Sequence, residues 1–258
     1  MSRFAQLCPI FSSAVGTLAI SWAVLSCTQM HAQSVNSLVI GQSPTVNPRG
    51  QLNQSLIFAA PPPPPDIGEP GQRAEAGSRG CGGGNKQLTA LMPVYSNSQL
   101  IFGATTASHP TFWFYIPYKP PSPGKFVLQD KDDNLVYQTD VTLPQTPGVI
   151  SFSLPQTVAP LLIGKQYHWF FKIYCKAQQP SAFVEGWIQR NSLNPALNSQ
   201  LEKATPQQRV ALYAANGIWF EALTTAGELR RRDPKETSWA TLLQAVGLND
   251  LANEAIAP

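Results

Sequence analysis

Ten residues, HPTFWFYIPY at positions 109 to 118, hold five aromatic rings and no charged side chain. Strand side chains alternate between faces, so Phe112, Phe114 and Ile116 share one side and Trp113 and Tyr115 the other. A strand with one wet face carries polar residues there. This one carries rings on both. A second stretch, QYHWFFKIYC at 166 to 175, repeats the pattern: Tyr167, Trp169, Phe171, Ile173 and Cys175 face one way, and His168, Phe170, Lys172 and Tyr174 the other. Two apolar faces need two partners, which implies sheet packed on sheet and a further layer over the outside.

Between residues 87 and 191 the chain reads as short strands separated by turns: QLTALMP, TFWFYIPY, KFVLQD, LVYQTDV, VISFSLP, QYHWFFKIYC and FVEGWIQR. KPPSPG, KDDN and PQTPG supply turn chemistry between them. Seven short strands at this pitch favour an antiparallel sandwich. The corner PLLIGKQY sharpens it to an immunoglobulin- or fibronectin-like one, with Tyr167 as the tyrosine that bonds back to the preceding turn.

After NSLNP the pattern turns helical. Thr205 caps a helix with Pro206 at its first position and Gly217 at its end. IWFEALTTAGELRRR continues with Ala222, Leu223, Ala226 and Leu229 on one side, and SWATLLQAVG adds Trp239, Leu242, Leu243 and Val246. Tyr213, Gly217, Ala222 and Pro234 are spaced as in one tetratricopeptide hairpin, and one such repeat cannot bury its own face. The expected fold is therefore α+β: a β-sandwich over 80–192 and a helical subdomain over 193–258 docked on the strands bearing Trp113, Tyr115, Phe170 and Tyr174. The competing reading leaves Trp113, Tyr115, Tyr174, Trp187 and Trp219 exposed as a sugar-stacking platform, and a protein-binding patch is a third.

Upstream, residues 33–79 are rich in Gln, Asn, Ser, Gly and Pro and contain APPPPPDIGEPGQ, which reads as a disordered tether. Residues 1–32 read as an export signal: Arg3, an uncharged run from Ile10 to Ser26, and a cut after Ala32. VLSC offers lipidation at Cys27 as an alternative, and an uncleaved anchor is another. The expected location is thus periplasmic or extracellular. Removal of the leader leaves Cys81 and Cys175. In an oxidising compartment an even pair suggests a disulfide, whose loop of about 90 residues contributes roughly 4–5 kcal/mol in the chain-entropy model; two separate thiols are the other reading.

A formal charge of +3 without clustering gives no footprint for nucleic acid. RGCGGGNKQ lacks the spacing of a phosphate loop. His109 precedes a proline and His168 sits among rings, with Cys175 on the opposite face, so no thiol dyad forms. DKDDN begins like a calcium loop but places Leu135 where glycine is required. Glu185 and Glu221 are isolated acids. No catalytic residue, metal site or cofactor is expected, and the partner is an envelope protein or a glycan.

TTASHPTFWFYIPY, FVLQD, GKQYHWFFKIYC, VEGWIQR, LYAANGIWFEAL and LLQAVGL together resemble the cyanobacterial domain-of-unknown-function family numbered nine hundred and twenty-eight, over roughly residues 85 to 255. The resemblance implies a secreted or envelope protein without assigned activity, and a β body and helical tail forming one unit. It carries no catalytic residue to this chain. The expected role is a non-catalytic binding or scaffolding module of the envelope, with a glycan- or peptidoglycan-binding module second and an unfamiliar hydrolase third.

Overall fold

Strand β4 (Thr111–Ile116), the aromatic stretch above, runs through the middle of a three-stranded sheet, between β1 (Thr89–Ala90) and β7 (Gly148–Ser153). The structure is a computed structural model that describes residues 56–68, 70–75, 86–95, 99–117, 124–174 and 182–257. The expected leader, Cys27, Cys81 and Cys175 lie outside these residues.

A second sheet of six strands faces the first. It contains β2 (Val94–Tyr95), β3 (Leu100–Thr105), β9 (Ala182–Arg190), β8 (Gln166–Ile173), β5 (Gly124–Asp130) and β6 (Leu135–Val141), in that spatial order. The inner faces supply the core. Phe114 stacks on Phe171 at 4.3 Å, Phe112 lies 4.7 Å from Phe126, and Trp169 is fully enclosed. Phe112, Phe114 and Ile116 thus share the inner side with Trp169, Phe171 and Ile173. The Tyr167 hydroxyl accepts a 2.9 Å hydrogen bond from the Leu162 N–H, the expected bond back to the preceding turn.

One expectation of pairing fails. The sandwich is not antiparallel throughout, because β3 runs parallel to β9, with Phe102 opposite Trp187 and Thr105 opposite Arg190. The chain leaves β3 through residues 106–110, enters the other sheet as β4, and comes back beside β3 only with its last strand, β9. No hairpin joins these two strands, so nothing forces them to oppose.

Four α-helices follow the last strand: α1 (Pro195–Lys203), α2 (Pro206–Ala215), α3 (Trp219–Arg232) and α4 (Ser238–Ala245). Asn194 caps α1 with its side chain, and Thr205 with Gln208 makes a reciprocal capping box on α2. Gly217 then adopts φ +69°, a left-handed turn that frees α3 to reverse across the sheet. Ala222, Leu223, Ala226 and Leu229 of α3, with Trp239, Leu242 and Leu243 of α4, form its buried side. Among the described residues no helix is long and apolar enough to cross a membrane.

The helices cover the outer face of β4. Trp113 donates from Nε1 to the Thr224 hydroxyl at 3.1 Å, and its ring meets Trp239 at 5.2 Å. They also enter the core: Phe220 lies 5.2 Å from Phe112, closing the side of the sandwich between β3 and β4. Trp219 is buried beside it and donates to the Leu91 carbonyl at 2.9 Å. Sandwich and helices therefore share one continuous core. The chain's last described residues add to the edge of β7, where Val149 N–H donates to Ala255 and Ala257 N–H donates back to Val149.

Two expectations need correction. The helices do not cover Phe170 and Tyr174. Since the inner faces of β4 and β8 meet each other, their outer faces look in opposite directions, and one helical layer reaches only one of them. The expectation of a disordered tether over 33–79 also fails for residues 56–68 and 70–75, which are packed on the body. Phe58 makes an edge contact with Trp219 at 4.9 Å, Tyr95 donates to the Pro61 carbonyl at 2.6 Å, and Gln72 bridges to Glu185. The apolar residues of SLIF and the fixed prolines give this segment something to bury at little entropic cost.

Candidate functional site

The outer face of the six-stranded sheet is built from cross-strand rows that the register defines. In one row Asp140 of β6, Lys125 of β5, Lys172 of β8 and Phe183 of β9 lie side by side. The next holds Gln138, Val127, Phe170 and Glu185. The third holds Leu135, Gln129, His168 and Trp187. Tyr174 continues the β8 line beyond Lys172. Most of these side chains are half-buried or exposed, while the alternating positions Phe126, Leu128, Phe171 and Ile173 are sealed in the core.

This face ends at a wall. Trp187 packs with Leu100 and Phe102 under Ile67, and Gly68 sits directly on its ring, where a Cβ would fall 2.9 Å from Cε2. Gln72 then pairs along β9, accepting from Glu185 N–H and donating its side-chain amide to the Phe183 carbonyl, each at 2.9 Å. The β8–β5 side of the face has no such cover among the described residues.

Charges on the face are unevenly paired. His168 stacks on Trp187 at 4.3 Å and brings Nε2 to 3.3 Å from Glu185 Oε2. That is ion-pair distance without hydrogen-bond alignment, since Nε2 is shielded and finds no acceptor in line. Lys125 lies 3.9 Å from Asp140, whose side chain is 86 % exposed, so solvent weakens that pair. Lys172 rests over the Phe170 ring at 4.8 Å, with no carboxylate within salt-bridge distance among the described residues.

Of the five aromatic residues expected to form an open platform, four do not. Trp113, Tyr115 and Trp219 lie under or within the helical layer, and Trp187 lies under residues 67–68. None is more than 6 % exposed, because each ring sits where two layers meet. Tyr174 alone is half-buried on the open face. Phe183, Lys125 and Glu185 join it there. The alternation of FVEGW and KFVLQD carried their orientation, but their adjacency follows only from strand order.

Other chemistry-bearing groups are engaged internally. Glu221 Oε1 accepts from Thr106 N–H and Ala107 N–H at 2.7 Å and from the Thr105 and Thr106 hydroxyls at 2.9 Å. It fastens the loop after β3 to the first turn of α3. The adjoining cavity of about 130 Å³ is well below the roughly 300–1,000 Å³ of ordinary ligand pockets. His109 Nε2 contacts the Val158 carbonyl at 2.9 Å and Nδ1 contacts the Ser108 hydroxyl at 3.0 Å. A carbonyl only accepts, so Nε2 carries the proton and Ser108 donates. This resembles a nucleophile and its base, but His109 is tied to the Val158 carbonyl and the Thr106 and Ala107 N–H groups of the same loop are given to Glu221. Asp130 accepts from the Asn134 side chain and from the Asn134 and Asp132 N–H groups, which holds its carboxyl below the usual range. Among the described residues no three His, Cys, Asp or Glu side chains converge as metal ligands do.

The family model described as Domain of Unknown Function (DUF928) matches residues 74–256, spanning both sheets and all four helices. No curated protein matches the chain.

Proposed function

We propose that this chain, which belongs to the DUF928 family, is a non-catalytic binding protein of the cell envelope whose binding surface is the open outer face of the six-stranded sheet. One observation carries the reading. The two outer faces of the sandwich both hold aromatic side chains, yet helices and wall seal one face and part of the other, leaving Phe170, Tyr174, Phe183, Lys125 and Lys172 half-buried outside that cover. Aromatic side chains grouped on a face that no other layer covers mark an interaction surface rather than core.

The location in the envelope rests on the leader, in which the uncharged run Ile10 to Ser26 follows Arg3. We read the β body as immunoglobulin-like. Support comes from the spatial order β3-β9-β8-β5-β6 opposed to β4-β7, the parallel β3–β9 edge, and the Tyr167 corner. A binding role is favoured over hydrolysis because Glu221, His109 and Ser108 are committed to holding loops together.

The test uses the full chain with isolated cell-wall material. Wild type cosediments with it, and Phe170→Ala with Tyr174→Ala abolishes cosedimentation at unchanged melting temperature. Failure of wild type to cosediment, or retention by the double variant, removes the proposal.

A further inference from the structure

Resting on that reading of the open face, we infer the chemical class of its ligand: a polysaccharide bearing carboxylate groups. The inference starts from a juxtaposition of like charges. Lys125 and Lys172 are direct cross-strand partners on adjacent strands β5 and β8. Opposed side chains of an antiparallel pair have Cβ atoms about 4.5–5.5 Å apart, and like charges placed so destabilise the sheet. The face does little to relieve this. Asp140 reaches only Lys125 and is largely in water, while Glu185, one row away, is turned to His168. An external anion on this row would meet Lys172 over the Phe170 ring and compete with Asp140 for Lys125.

The rings say what carries the anion. Phe183 stands opposite Lys172 on β9, Phe170 precedes Lys172 by two residues on β8, and Tyr174 follows it by two, one residue past the strand's end. Sugar rings offer apolar C–H faces to aromatic rings, and their hydroxyls suit the amide of Gln138 in the neighbouring row. The surface crosses four strands, roughly 15 Å at the spacing of neighbouring strands, which fits an extended chain. Lysine, a compact point charge without arginine's bidentate fork, suits anionic groups spaced singly along a chain. Two lysines interleaved with Asp140 and Glu185 suit a chain of spaced carboxylates better than a duplex, which carries one charge per about 1.7 Å.

The full chain is titrated with sodium polygalacturonate, neutral dextran and duplex DNA by affinity electrophoresis. Polygalacturonate retards it, less so as salt rises from about 0.05 to about 0.5 M. Lys125→Gln and Lys172→Gln each weaken binding about threefold to fivefold, the scale of one exposed ion pair. Asp140→Asn strengthens it by removing the competing anion, a gain that misfolding does not produce. Absence of binding, equal binding to dextran, preference for DNA, or lysine variants indistinguishable from wild type overturns the inference. If Phe170→Ala and Tyr174→Ala abolish polygalacturonate binding while the lysine variants keep it, the open face stands and the carboxylate falls. If neither set matters, both fall.

Discussion

Gly227, midway along α3, lies against the indole of Trp113, where a methyl group on its Cα would stand 2.7 Å from Cζ2. Glycine inside a helix costs about 1 kcal/mol relative to alanine, so the position sacrifices helix propensity for a close approach. Gly227→Ala regains that propensity but forces the ring or the helix to move, an overpacking cost of about 1–3 kcal/mol. A net loss of roughly 1–2 kcal/mol in urea unfolding is expected, with a larger loss for Gly227→Val. Stabilisation by the alanine would mean that α3 does not rest on Trp113.

Removal of residues 199–258 should leave an insoluble β body. Phe220 and Trp219 are part of the core, so their loss opens the sandwich between β3 and β4 and exposes Trp113. A soluble, monomeric fragment with a cooperative melt would show the helices to be separate.

Glu221 joins the two halves at their other contact. Glu221→Ala strands four donors that now converge on one oxygen, and a loss of about 2–4 kcal/mol is expected. Glu221→Gln keeps an acceptor and should lose about half as much. Equal losses in the two variants, measured by urea midpoint, would show that packing rather than these hydrogen bonds fastens the loop.

Burial pushes the Tyr95 phenol up to about 12. Its folded value exceeds the unfolded value of about 10, so the unfolded chain loses the proton first. The stabilisation is complete below about pH 10 and is lost as pH rises toward 12. Burial raises Tyr115 and Tyr213 in the same direction, as does the Glu254 hydrogen bond for Lys86, so the wild-type decline has several sources. Tyr95→Phe isolates one: its melting temperature should fall less steeply over that window. An identical slope would separate Tyr95 from the anchoring of residues 56–68.

Much of this architecture was legible because local patterns and tertiary demands agree. The strands of TFWFYIPY, KFVLQD, LVYQTDV, VISFSLP, QYHWFFKIYC and FVEGWIQR all form, and so do the three helices read from Thr205 onward. Strand β3 was missed because LIFGAT lacks alternation, being buried on both faces. Helix α1 was missed although Asn194–Pro195 carries the same cap-and-proline signal as Thr205–Pro206; its polar composition hid it. The binding surface was half legible. Periodicity placed Phe170 and Tyr174 on the outer side of their strand, but which outer face the helices take depends on sheet membership. That is a long-range fact which no local spacing encodes.

Hydroxyl-radical footprinting of the full chain, with and without polygalacturonate, reads both outer faces at once. Phe170, Tyr174 and Phe183 should oxidise readily and become protected on adding the polysaccharide, while Trp113, Tyr115 and Trp219 stay protected throughout. Oxidation of Trp113 and Tyr115 as fast as Tyr174 would contradict it, because the helices would then not be the cover of that sheet.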